Sequence, residues 1–107
     1  MDKKSHTKWV GLLEVSQAKG VETLGVDRGA HVTVVAWCSC ESDYREKVSE
    51  ALMSNGLCLE LAEEIETCEV RLCKFTVSSD FMNTMNNVGP ENPVEFMEFH
   101  TFPIGEK

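Results

Sequence analysis

Cys38 and Cys40 stand one residue apart in "VVAWCSCESDY", directly after a tryptophan and ahead of an acidic, serine-flanked run. Paired thiolates ligate zinc or copper, and a thiol at a helix start is a candidate nucleophile or redox switch. A closed tetrahedral site needs two further ligands brought close. Cys58, Cys68, Cys73, His31 and His100 are available, but none forms a second tight Cys-x2-Cys or His-x3-His pair. No metal and no cofactor is therefore expected. The pair reads as the end of a strand turning into a helix, its thiols filling space as small hydrophobes. Five cysteines, an odd number with no export signal ahead of them, are expected as free thiols in a reducing cytoplasm.

His100 shares a strand face with Glu98, which could orient the imidazole for acid–base work. No glycine-rich oxyanion turn, nucleophile elbow or paired-carboxylate motif accompanies them. Catalytic residues are thus not assigned, and the chain is expected not to be an enzyme.

Between residues 60 and 69 lie Glu60, Glu63, Glu64, Glu66 and Glu69 without an intervening base. Their spacing is not that of a calcium loop. Such a run serves as a solvated edge that resists sheet-to-sheet pairing. As a function, it would be a docking surface for a basic protein partner. The overall balance agrees: 18 acids oppose 10 bases, a net charge of −8. That charge disfavours nucleic acid and anionic membranes, whose binding requires phosphate neutralisation by Lys and Arg. Lys3, Lys4 and Lys8 form only a short N-terminal group.

The elements that position these residues follow from hydrophobic period. Residues 8–16 and 30–40 read as strands, the first with apolar residues on both faces and so inside a sheet. A connection with a turn at "DRG", and a short strand near residues 21–26, joins them. In "SDYREKVSEALMSNG", Tyr44, Val48, Ala51 and Leu52 form one helical stripe. Ser42 or Asp43 is its expected cap, with Asp43 and Glu46 at capping-box spacing, and Asn55-Gly56 its stop. Leu57, Leu59 and Leu61 alternate along a third strand. Residues 67–77 fit a bulged strand or a short helix equally. Residues 77–89 read as a helix capped by Ser78 or Ser79, with Phe81, Met82, Met85 and Val88 as its apolar stripe. An aromatic-rich strand closes the chain at Pro103.

The order β-β-α-β-α-β predicts one α+β domain spanning residues 1–107. Its expected form is a two-layer sandwich, a mainly antiparallel sheet of four to five strands with two helices on one face. At 107 residues, 42% apolar and 26% charged, the chain has the composition of a globular domain, and no apolar run is long enough to span a bilayer. A cytoplasmic location is expected. The unit running from "YREKVSEAL" to "NGL", with the closing "VEFMEFHTFP", resembles small bacterial α+β proteins of uncharacterised type, a resemblance that implies no activity.

Two helices on one face would leave the other bare, although at least two strands are apolar on both sides. Exposed apolar patches of that size are uncommon on monomers. Trp9, Val35, Trp37, Met97 and Phe99 are the residues expected there. A second copy of the chain is the expected cover, making a homodimeric interaction module with an acidic edge free for a basic partner. A small-ligand pocket lined by the same aromatics is the alternative, as is an immunity- or antitoxin-like inhibitor. The segment 17–29 folding back is the plain structural explanation.

Overall fold

The computed structural model describes residues 6–18 and 28–103. The short strand expected near residues 21–26, most of the segment 17–29, and Lys3 and Lys4 lie outside them. Strands β1 (Thr7–Gln17) and β2 (Arg28–Cys38) pair antiparallel in unbroken register from Thr7↔Cys38 to Val15↔Ala30. With apolar residues on both faces they belong at the centre of a sheet, and they lie there. The order is β3-β1-β2-β4, with β5 also on β2. β3 (Leu57–Thr67) forms one edge; β4 (Val94–Phe96) and β5 (His100–Pro103) lie end to end along the other. The expected single closing strand is thus interrupted at residues 97–99.

Helix α1 (Glu41–Ser54) covers the first sheet face. Tyr44, Val48 and Leu52 are completely buried against Leu13, Val15, Val32, Val34, Ala36 and Cys38. Burying each such aliphatic side chain is worth roughly 1.5–3 kcal/mol, so this stripe fixes the helix. The Tyr44 hydroxyl donates to the Val34 carbonyl at 2.7 Å. Gly11 makes room for it, because a Cβ there would stand 2.8 Å from the phenolic oxygen.

The helix starts differently from expectation. Cys40 is the N-cap and supplies no side-chain cap. Asp43 reaches back instead, accepting from the Ser39 backbone N–H at 2.9 Å and from its hydroxyl at 3.2 Å. The far end is as read: Asn55 caps, and Gly56 takes a φ of 75° that glycine adopts without a steric penalty.

Two register shifts bend β3 against β1, between Glu14/Val15 and between Val10/Leu12. Each inserts one extra residue, so the inward face runs Leu57, Leu59, Ala62, Ile65. Leu61, expected to share the face of Leu57 and Leu59, is turned outward and is 48% exposed. At the second bulge Glu64 sits at a φ of 54°.

The segment with two possible readings is a helix, α2 (Cys68–Lys74), whose N-cap Thr67 hydroxyl accepts from the Val70 N–H at 3.2 Å. Helix α3 (Ser79–Asn87) is capped by Ser78 through the Phe81 N–H at 3.1 Å, as its sequence predicts.

The fold class is therefore the expected one, α+β with a mainly antiparallel five-stranded sheet. The placement of the helices is not. α1 and the sheet make the two-layer main core, but Phe81 of α3, with Val88 and Cys68, packs on Val10 and Val35, whose side chains leave the opposite face. The physical reason is that α1 already fills the first face. The apolar residues of β1 and β2 pointing away from it need cover, and α3 supplies it. No helix among the described residues is long and apolar enough to cross a membrane.

Candidate functional site

The five residues expected on one bare face do not stay together. Trp9 and Phe99 pack at the margin of the α1 core, Phe99 with its ring 5.7 Å from that of Phe96. Val35, Trp37 and Met97 belong to the second cluster, and Val35 is completely buried there. The interruption at residues 97–99 changes the parity of the closing strand. Met97 and Phe99, two apart, therefore serve opposite faces.

The acidic run is also divided. Glu60, Glu63, Glu64 and Glu69 are exposed, and Glu60 accepts from the Ser16 hydroxyl. Glu66 is committed internally: its carboxylate binds the Arg71 guanidinium, and Lys74 at 2.7 Å. Arg71, then Lys74, hold that carboxyl below the usual carboxylate range. Arg71 also donates to the Glu64 carbonyl at 3.0 Å. Glu66 is thus a clasp between β3 and α2 rather than a docking charge.

The cysteine pair resolves into two environments. Cys38 ends β2 inside the core, where burial pushes its thiol up to about 12. Cys40 lies at the surface, its thiol lowered first by the Ser42 hydroxyl at 3.5 Å and then by the Asp43 backbone. Cys68 is buried and pushed up to about 11 by desolvation. Beside Cys40 is a shallow hollow of about 480 Å³ edged by His6, Asp43 and Lys47. His6 stacks on Trp37 with ring centroids 6.2 Å apart. Among the described residues, no three His, Cys, Asp or Glu side chains converge as metal ligands.

What the second face does form is a groove of about 540 Å³ between α3 and the sheet. Leu12, His31 and Thr33 are its floor, Asp80, Asn83, Thr84 and Asn87 one wall, and Met97, Glu98 and His100 the other. His31 and His100 are direct cross-strand partners on β2 and β5. His31 also lies 3.6 Å from Glu14 on β1 and packs against Phe102 at 4.9 Å. Glu98 and His100 meet in this groove as the sequence suggested, and no hydrogen bond joins them.

The α3 wall was not anticipated as a site. Its signal was present: positions 80, 83, 84 and 87 follow the helical i, i+3, i+4, i+7 rule as closely as the apolar stripe does. A polar stripe on a surface helix ordinarily faces water, so only the placement of α3 over the sheet turns it inward.

A second hollow of about 400 Å³ continues from the first, sharing Thr33, Ser78 and Met97. It is lined further by Phe75, Val77 and Phe81, with Arg71 at its rim. The molecule thus belongs to the class of α+β domains with a surface groove between a helix and an antiparallel sheet. No protein-family model, curated protein or solved structure matches the chain.

Proposed function

We propose that this chain is a non-catalytic interaction module that takes a basic segment of a partner protein into the groove between α3 and the sheet. The observation that carries the reading is the charge of the groove wall. Asp80 and Glu98 line it beside Ser78, Asn83, Thr84 and Asn87 and the imidazoles of His31 and His100, and among the described residues no lysine or arginine contributes. The chain's net charge of −8 adds long-range attraction for the same partner. A basic toxin would be one partner of this chemistry.

A small polar ligand is the second reading. It is favoured by the volume, which falls within the range of about 300–1,000 Å³ typical of ligand sites. Self-association through the second face loses its original ground, because α3 already seats Phe81 and Val88 on Val10 and Val35 with at most 5% exposure.

Fluorescence anisotropy with a labelled heptalysine peptide tests the proposal. Binding is expected to weaken about tenfold in the Asp80→Asn/Glu98→Gln double variant and to fall with added salt. Equal binding by the double variant and the parent chain would remove the groove from the interaction.

A further inference from the structure

We infer that the partner segment is bipartite: an extended stretch in which an apolar side chain and a lysine or arginine stand two residues apart. The inference rests on the groove being the binding site and specifies what it reads. The two hollows share Thr33, Ser78 and Met97, so they lie side by side with unlike linings. One end is mainly apolar, formed by Phe75, Val77, Phe81 and Met97, with Glu64 and Thr76 also lining it. The other presents Asp80 and Glu98 with the amides of Asn83 and Asn87.

Arg71 at the apolar end does not invite an anion. Its charge is taken up by Glu66, its Nη2 donates to the Glu64 carbonyl, and it lies 5.9 Å over the Phe75 ring. Lys74 stands at 5.8 Å from the same ring. The two cations lie beside the Phe75 ring, which remains 54% exposed. A phenyl ring so presented at the mouth of an apolar hollow offers surface that a partner's aliphatic side chain would remove from water.

The occupant is a protein segment because the two ends adjoin. In an extended chain, residues i and i+2 point to the same side roughly 7 Å apart, so one such segment engages both ends at once. The complementary charge at the polar end then decides which hollow takes the basic side chain.

The test uses the full chain, labelled with nitrogen-15, titrated with capped five-residue peptides while amide shifts are followed. The probes are Gly-Leu-Gly-Lys-Gly, the same with serine for leucine, and the same with glutamate for lysine. The leucine–lysine peptide is expected to bind about tenfold tighter than either of the others, with shifts at Phe81 and Met97 and at the Asn83 and Asn87 side-chain amides. Phe75→Ser, a change at an exposed position, should erase the leucine advantage and keep the lysine one. Asp80→Asn should do the reverse.

If the serine and leucine peptides bind alike while the glutamate peptide stays weak, the bipartite inference fails and the acidic groove survives. Indifference to the lysine–glutamate exchange overturns both. Absence of binding by every peptide overturns the inference, as does n-butylamine binding as tightly as the leucine–lysine peptide, which would assign the groove to a small amine.

Discussion

Cys40 and Cys38 show how little spacing says about reactivity. They are two positions apart, yet one thiol is lowered by a neighbouring hydroxyl at the surface and the other is driven up to about 12 by burial. Thiolate, not thiol, attacks an alkylating agent. Iodoacetamide at pH 7.5, followed by peptide mass mapping, should therefore modify Cys40 well ahead of Cys38 and Cys68. Ser42→Ala should slow it. Glu66 and Asp43 make the corresponding argument for stability. Arg71 and Lys74 depress the Glu66 carboxyl, and the Ser39 backbone N–H does the same for Asp43. A carboxyl lowered in the folded state contributes stability above its unfolded value, near pH 4, and loses it as pH falls through the folded value. Urea denaturation should accordingly show stability falling from about pH 5 to pH 3, with a shallower fall in Glu66→Gln. An unchanged slope in that variant would mean that the clasp between β3 and α2 contributes nothing.

At the scale of elements, α1 approaches β1 closely at Gly11. Gly11→Ala would push a methyl against the Tyr44 phenol, where overpacking costs typically 1–3 kcal/mol. Tyr44→Phe removes the bond to Val34 at a cost of about 1 kcal/mol. Because removing the phenolic oxygen also frees part of the space, the two changes together should cost less than their sum, a double-mutant cycle in urea being the check. This helix was legible in the sequence, since Tyr44, Val48 and Leu52 repeat at four residues and Asn55-Gly56 stops them. β1 and β2 were legible for the same reason of period. β3 and the closing strand were not, because a bulge or a break shifts every later residue to the other face without altering composition. Leu61 turned outward and Met97 parted from Phe99 on that account. The groove was hidden for a third reason: its α3 wall has the polar stripe of any surface helix, and only long-range packing aims that stripe at His31 and His100.

For the whole molecule, the distribution of helices decides how much apolar surface is left. A sheet roofed on one side only would expose the Val10–Val35 patch and call for a second copy of the chain. With α3 across that patch, the exposed large apolar side chains among the described residues are Met53 on α1, Leu61 on β3, Val70 and Leu72 on α2, Phe75 beyond it and Met82 on α3. Scattered apolar residues are normal on monomers and supply less driving force than one contiguous patch. At a net charge of −8, two copies also repel each other. Sedimentation velocity at about 10–100 μM in low salt should therefore give a single monomeric species, micromolar Kd values corresponding to about −8 kcal/mol. Deleting the cover reverses the expectation. Phe81→Ala removes the ring that anchors α3, costs about 3–5 kcal/mol, and leaves Val35 beneath it open to water. That variant should bind 8-anilinonaphthalene-1-sulfonate and self-associate where the parent chain does neither. A parent chain already dimeric at these concentrations would show that α3 is not sufficient cover, and would return the second face to a partner copy.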